Sequence, residues 1–170
     1  FWSFEPASFS WLAYDRSSIV AYEWWRFVSG NLIHSNTTHL LLNLGGLLVI
    51  WGLYGDYCNA KQFLILAALC CVAVTSGIYL FNPERLSYVG LSGALHGLFA
   101  WGAYRDITKG YKMGWVLLAG LGIKILLEQI YGGNSDIAEL IGTNIATESH
   151  LYGAVSGLLL SPFYPALKKQ

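Results

Sequence analysis

Long apolar stretches separated by short polar connections make up most of the chain. Four of them carry no charged residue and a fifth contains only two, and they cover residues 37–54, 62–81, 86–104, 113–131 and 149–167. A helix of about 20 apolar residues is long enough to cross the hydrocarbon core of a bilayer, which is roughly 30 Å thick. The pattern therefore predicts five transmembrane helices joined by short loops.

The opening stretch has a different character. Residues 1–30 contain Asp15, Arg16, Glu23 and Arg26 and are too polar to form a further span. We predict one all-α membrane domain over residues 1–170, with 1–36 as a loop region on the outer side and 37–167 as five transmembrane helices with their loops. Because the chain begins at Phe1, we expect a sixth helix to precede it in the intact protein.

Composition supports a membrane protein. Hydrophobic residues make up 55 % of the 170 residues and charged residues 12 %, whereas soluble domains contain about 25 % charged residues. Lysine plus arginine and aspartate plus glutamate number 10 each, so no excess of positive charge would attract nucleic acid. The three cysteines lack metal-ligand spacing. We expect no nucleic-acid partner, no structural metal and no cofactor.

Basic residues are unequally distributed between the two sets of connections. The loops after the first and third predicted helices and the C-terminal tail contain six lysines and arginines, and the opposite connections contain three. Basic residues accumulate in cytoplasmic loops. We therefore predict a cytoplasmic C-terminus, with the first, third and fifth helices all beginning on the outer side.

Polar side chains inside the predicted spans lie near the starts of those same three helices. They are His39 and Asn43 in the first helix, Ser92 and His96 in the third, and His150 in the fifth. Polar groups are costly in a membrane and commonly mark functional sites. We predict that these residues share one depth and form one site near the outer face.

Ser92 and His150 form the predicted catalytic pair. Glycines flank the serine at Gly90 and Gly93 and allow a sharp turn into a helix, whose free N–H groups would stabilise an oxyanion. Glycines three and seven residues after His150 would let its helix approach the serine helix, so that the imidazole activates the hydroxyl. The alternative is that the glycines only pack helices and Ser92 only caps one.

Other polar residues have two interpretations each. His39 and Asn43 share a helix face and suit an oxyanion-binding pair, or they hydrogen-bond a neighbouring helix. Lys124 and Glu128 are four residues apart in the fourth span, and we favour an internal ion pair over a chemical role. For His34 we expect a hydrogen bond that fixes the outer loop.

In this order, these residues resemble the rhomboid intramembrane serine proteases. The resemblance covers residues 24–160 and is carried by Trp25-Arg26, His39-x-x-x-Asn43, Gly90-Leu91-Ser92-Gly93 and His150-x-x-Gly153-x-x-x-Gly157. It implies a six-helix bundle in which Ser92 is the nucleophile and His150 its base, without a carboxylate as third member. It also implies that His39, Asn43 and the serine N–H bind the oxyanion.

One position departs from the usual rhomboid pattern, because His96 stands where a tyrosine normally stacks on the catalytic histidine. We hypothesise that His96 orients His150. The strings at 92–97 (SGALHG) and 148–153 (ESHLYG) resemble the rhombosortase branch.

That branch implies a Gram-negative inner-membrane enzyme whose site opens to the periplasm. Its substrates would be exported proteins, anchored by a C-terminal sorting tail with a Gly-Gly-type motif, an apolar span and a basic end. Their processing would be linked to type II secretion. The residues leave open whether water or another amine completes the reaction, and an amine would make the enzyme a transpeptidase.

Two other functions compete with proteolysis. The first is a catalytically inactive rhomboid-like protein that binds membrane clients, although such proteins lack the serine or the histidine. The second is a metal site or transport path lined by His34, His39, His96 and His150. Against it, no carboxylate or thiolate is expected at matching depth on the motif helices.

Overall fold

The computed structural model of the chain, which describes residues 7–163, is a bundle of five long helices with smaller elements at one end. Two single 3-10 turns, Gly30–Leu32 and Gly55–Tyr57, accompany them. The elements in chain order are α1 (Ala7–Leu12), β1 (Tyr14–Asp15), α2 (Arg16–Val20), α3 (Arg26–Ser29), α4 (Thr37–Tyr54), α5 (Ala60–Phe81), β2 (Ser87–Tyr88), α6 (Ser92–Thr108), α7 (Met113–Tyr131), α8 (Ser135–Ile141) and α9 (Thr147–Leu160).

The long helices α4, α5, α6, α7 and α9 correspond to the five predicted ones. Helices α4 and α7 have the predicted bounds, and α5 begins two residues early. Asn59 sets that start, because its side chain accepts from the backbone N–H of Gln62 while Gln62 returns a bond to the Asn59 backbone. This reciprocal cap satisfies two otherwise unpaired helix donors. The prediction of an all-α helical bundle is confirmed.

The prediction was wrong at the start of the third helix. Residues 86–91 do not continue α6, because β2 pairs antiparallel with β1 and Gly90 has φ +115°. This left-handed conformation favours glycine. The fifth helix ends at Leu160 and a turn follows. Residues 164–167 of the predicted span lie outside the described residues, as do Lys168 and Lys169.

Three of the helices in the described part of the chain are long and apolar enough to cross a membrane. They are α4 with the 3-10 turn that follows it, α5 and α7. Helices α6 and α9 have 17 and 14 residues. Helix α6 packs against α4, α5, α7 and α9, so its polar and small residues face protein. Exposed apolar side chains instead cover the other helices, among them Leu41, Leu48, Leu64, Leu80, Val116 and Ile123.

Among residues 7–163, connections predicted to lie on one side of the membrane lie together at one end of the bundle. At the end that carries β1 and β2, Arg85 forms an ion pair with Glu148. At the opposite end, the Tyr57 hydroxyl donates to the Asp106 carboxylate, and the Lys109 ammonium lies 4.4 Å from the Tyr57 ring centre. The pairing of loops within each end follows the predicted alternation of helix direction.

Arg26 holds the N-terminal segment in place. Its buried guanidinium donates to the carbonyl oxygens of Ala13 (2.6 Å) and Ser10 (2.8 Å) and pairs with Glu23. Hydrogen bonds to charged donors contribute more than neutral ones. Residues 7–36 of the predicted loop region therefore form a cap of short helices over one end of the bundle.

Helices α6 and α9 form the closest helix pair. A Cβ atom added at Gly153 would overlap the carbonyl oxygen of Gly93, and one added at Gly157 would overlap that of Gly97. The small residues let the two backbones touch, as is typical of membrane helix packing. This contact fixes the spacing between the serine and histidine helices.

Candidate active site

Ser92 and His150 meet at the end of the bundle that carries the two short strands. Ser92 is the first residue of α6, directly after the turn at Gly90, and His150 lies in the first turn of α9. The serine Oγ is 3.1 Å from His150 Nε2. His150 is buried and Ser92 is partly exposed. A hydroxyl within hydrogen-bond reach of an imidazole nitrogen is the arrangement that an activated nucleophile needs.

The second ring nitrogen of His150 contacts a pair of charged residues on α7. Its Nδ1 is 2.8 Å from Glu128 Oε2 and 3.2 Å from Lys124 Nζ. The ion pair predicted between Lys124 and Glu128 is present, at 2.7 Å. A carboxylate nevertheless lies level with the histidines, because Glu128 reaches His150 from α7, which is not one of the motif helices to which the expectation applied.

His96 lies flat against His150. Their ring centres are 4.0 Å apart and the ring planes differ by 14°. His96 Nδ1 is 2.7 Å from the backbone carbonyl oxygen of Ser92, and its Nε2 is 2.8 Å from Lys124 Nζ. A carbonyl only accepts and an ammonium only donates. These partners fix the proton of His96 on Nδ1 and direct both its nitrogens away from the serine hydroxyl.

His39, Asn43 and Gly90 lie together beside the serine. A Cβ at Gly90 would be 2.6 Å from His39 Nε2 and 3.9 Å from Asn43 Nδ2. Asn43 Nδ2 donates to the His39 carbonyl oxygen at 3.1 Å, which leaves one amide hydrogen. His39 Nδ1 lies 3.0 Å from the Ser35 hydroxyl. Gly93, the other flanking glycine, instead contacts the α9 backbone at Ser149.

A polar cleft of about 250 Å³ opens beside Ser92. Its walls include His39, Arg85 and residues 141–146, which run from the last residue of α8 to the residue before α9. That segment is tied to the start of α4, because the Ser35 hydroxyl donates to the Ile141 carbonyl oxygen at 2.5 Å. The cleft is large enough for a few residues of extended peptide.

His34 lies behind His39 and is buried. Their ring centres are 4.9 Å apart in an edge-to-face arrangement. Its Nε2 has no hydrogen-bond partner among the described residues, but the ring forms a hydrogen bond with the Leu32 backbone, which agrees with the predicted loop-fixing bond. Burial lowers the pKa of His34 to about 4, with a further contribution from the nearby His39. The ring is therefore neutral at pH 7.

One set of possible metal donors occurs in the described part of the chain. Donor atoms of His96, Glu128 and His150 lie within 4.8 Å of one another. The Lys124 ammonium, however, is within 3.2 Å of a donor atom on each of these three residues. A metal ion would have to displace this cation.

Comparison with known proteins decides the family. The model of the rhomboid domain matches residues 21–166. The chain belongs to the rhomboid family. This rhomboid is 28 % identical over 145 residues to "Putative rhomboid protease YdcA" of Bacillus subtilis (strain 168), covering 82 % of this chain and 66 % of the relative.

Rhomboid protease GlpG of Yersinia pestis (strain Pestoides F) is a second relative. It is 27 % identical over 157 residues, which cover 92 % of this chain and 54 % of the relative. GlpG of Yersinia pseudotuberculosis serotype O:3 (strain YPIII) matches equally. This rhomboid thus spans between about half and two thirds of the length of these relatives.

Sequence reasoning missed the contact of Glu128 and Lys124 with His150. The available signal was that Lys124 and Glu128 are the two charged residues of the mostly apolar helix α7. Because Lys124 and Glu128 are four residues apart, an ion pair within one helix was a sufficient explanation for both. Which helix face turns toward α9 depends on the packing of α7, and no motif on α7 indicates it.

Proposed function

We propose that this rhomboid is an intramembrane serine endopeptidase with Ser92 as nucleophile and His150 as general base. The observation that carries the proposal is the 3.1 Å contact between Ser92 Oγ and His150 Nε2 at the foot of an open polar cleft. The names of its relatives as proteases support the same activity. An inactive client-binding relative would have no need of this contact.

The reaction follows from the positions of these groups. The Ser92 oxygen attacks the scissile carbonyl while its proton passes to His150 Nε2. The Ser92 backbone N–H, at the first position of α6, has no acceptor within its helix. With donors from His39 and Asn43 it would hold the oxyanion. His150 then gives the proton to the leaving amine, and water or another amine attacks the acyl-enzyme.

The substrate class is a protein with an apolar span. A second cavity of about 490 Å³ runs between α4 and α7 and ends at Ser92 and His96. Its walls are almost entirely apolar, formed by residues such as Val49, Val116 and Leu121. A transmembrane segment resting here would bring its outer end to the serine, where a few unwound residues would occupy the polar cleft.

We further propose that the substrates are exported proteins with C-terminal sorting tails, as the resemblance to rhombosortases implies. A small-residue motif of the Gly-Gly type suits a cleft of only about 250 Å³. The apolar part of the tail would lie in the α4–α7 groove. The enzyme would then reside in a bacterial inner membrane with the cleft facing the periplasm.

Loss of the tail from a model substrate tests this function. A reporter fused to Gly-Gly, an apolar span and a basic end should be cut by the parent enzyme and left intact by Ser92→Ala and His150→Ala. A fluorophosphonate probe should label the parent and neither variant. Equal labelling of Ser92→Ala would place the nucleophile elsewhere. The mass of the released product distinguishes a free carboxylate from an amide made by transpeptidation.

Two further measurements address the rival functions and the orientation. A chelator should leave cleavage unchanged, whereas loss of activity would favour a metal centre. In a cysteine-free background, a cysteine at position 136 should react with an impermeant reagent added from outside, and one at position 109 should not. The reverse pattern would turn the cleft toward the cytoplasm.

A further inference from the structure

Two charged residues in α7 have no role in the reaction described so far. Helix α7 is otherwise uncharged from Met113 to Tyr131, yet it carries Lys124 and Glu128. Charged groups within a membrane are expensive and persist where they serve a purpose. A pair that only neutralised itself would need no third partner, but both residues contact His150.

The two nitrogens of His150 have different partners. Nε2 faces the Ser92 hydroxyl, and Nδ1 faces a Glu128 carboxylate oxygen at 2.8 Å. The Glu128 side chain is 14 % exposed and that of His150 6 %, so little water competes for this bond. An Nδ1–H that donates to a carboxylate leaves Nε2 unprotonated and free to accept the serine proton.

We propose that Glu128 is a positioning residue for His150, so that the site is a Ser92–His150–Glu128 triad. The resemblance to rhomboid proteases implies only the serine and the histidine. This proposal rests on the proposed function. The proton from the Ser92 hydroxyl moves to His150 Nε2 as the Oγ–C bond forms, and it later leaves on the amine. Glu128 remains ionised throughout, fixes the ring orientation and stabilises the imidazolium.

Lys124 holds the carboxylate in place. Its ammonium donates to Glu128 Oε1 at 2.7 Å and to His96 Nε2 at 2.8 Å. The charged and titratable groups facing His150 are therefore His96 from α6 and Lys124 and Glu128 from α7. The cation balances the carboxylate, and the stacked His96 completes the pocket.

The competing arrangement is a bond from Lys124 to His150. The ammonium is 3.2 Å from Nδ1, longer than the 2.8 Å to Glu128. If the ammonium donated to Nδ1, the ring proton would lie on Nε2 and would block transfer from the serine. Productive catalysis therefore requires Nδ1–H to donate to Glu128.

Kinetics of four variants of the full chain in detergent would test the proposal, with the reporter substrate described above and the fluorophosphonate probe. For Glu128→Gln we expect kcat to fall at least about 100-fold with little change in KM, because the imidazolium loses its carboxylate. The rate of Ser92 labelling should fall in parallel. Glu128→Asp should recover part of both rates. Lys124→Met should cost about tenfold or less, and Glu139→Gln, on the exposed face of α8, should match the parent.

Four results would overturn this assignment. One is a parental kcat in Glu128→Gln. Another is a Lys124→Met loss as large as that of Glu128→Gln, which would assign the Nδ1 bond to lysine. A third is a lowered melting temperature in Glu128→Gln together with no recovery in Glu128→Asp, which would make Glu128 structural. If Ser92→Ala retained parental labelling, the proposed function itself would fail, and the proposed Ser92–His150–Glu128 triad would fail as well.

Discussion

The serine helix α6 contacts its neighbours on two sides in opposite ways. Toward α9 its backbone touches that of the partner helix at Gly93 and Gly97. Toward the space between α4 and α7 it borders an apolar cavity of about 490 Å³. The reacting side chains span the closed interface, and the proposed substrate path uses the open one. The α6–α9 contact thus holds the reacting side chains rigidly, and the space between α4 and α7 gives the substrate access to them.

The closed interface should be the most sensitive part of the molecule. Gly157→Val would drive a branched side chain into the carbonyl oxygen of Gly97, and helices that cannot shift should lose about 3 kcal/mol of stability. We expect no cleavage and a lowered melting temperature in detergent. Gly122→Val is the matched control, since nothing lies within 4 Å of a Cβ there. Equal tolerance at both positions would mean that α6 and α9 are not held by close approach.

On the open side, His34 packs against His39 at the start of α4. Because burial lowers the pKa of His34 to about 4, the unfolded chain, with a pKa of about 6.5, binds more protons between these values. The contribution of the neutral His34 ring to the free energy of unfolding should be fully present above about pH 6.5. It should fall by up to about 3 kcal/mol as the pH is lowered toward 4. Melting curves across this range would measure the loss.

A variant without a titratable ring isolates that contribution. His34→Phe keeps an aromatic edge against His39 and should flatten the pH dependence between pH 6.5 and 4. An unchanged slope in His34→Phe would assign the acid sensitivity to other groups.

At the junction of the two sides, His96 lies against His150 with ring centres 4.0 Å apart. If its role is to orient the base, another flat ring should replace it in part. His96→Phe and His96→Tyr should keep measurable cleavage, and His96→Ala should lose at least about tenfold, or roughly 1.4 kcal/mol of barrier. Phe and Tyr variants as inactive as Ser92→Ala would instead point to proton transfer or substrate binding.

The smallest effect is expected from narrowing the open side. Gly120 lines the groove and has no atom within 4 Å of a Cβ position, so Gly120→Trp should fold normally. We expect about a fivefold lower kcat/KM on the membrane-anchored reporter, equivalent to about 1 kcal/mol. Labelling by the small fluorophosphonate should fall less. A loss shared equally by both reactions would place the effect at the serine and not in the groove.

Hydropathy and spacing predicted the helices better than they predicted the contacts. The bounds of α4 and α7 followed from apolar runs alone, because lipid requires long uninterrupted helices. The start of α6 did not, since β2 forms only through pairing with β1 far away in the chain. Periodicity carries no information about such a partner.

The candidate site divides in the same way. The closeness of Ser92 and His150 was predictable, because glycines mark both faces of the helix contact that joins them. The approach of Glu128 to His150 was not, since it depends on the rotation of α7 about its own axis. The four-residue spacing of Lys124 and Glu128 is equally compatible with an ion pair confined to α7 and with a catalytic triad that includes Glu128.

The short pairing of β1 with β2 also has a consequence for biogenesis. Tyr14, which ends fully buried, is matched with Tyr88, so its partner leaves the ribosome 74 residues later. At about 5–20 residues per second, that interval lasts roughly 4–15 s. During that interval the two long helices α4 and α5 are synthesised while β1 has no partner strand. The turn at Gly90, which leads into Ser92, can therefore take its final conformation only after β1 has paired with β2.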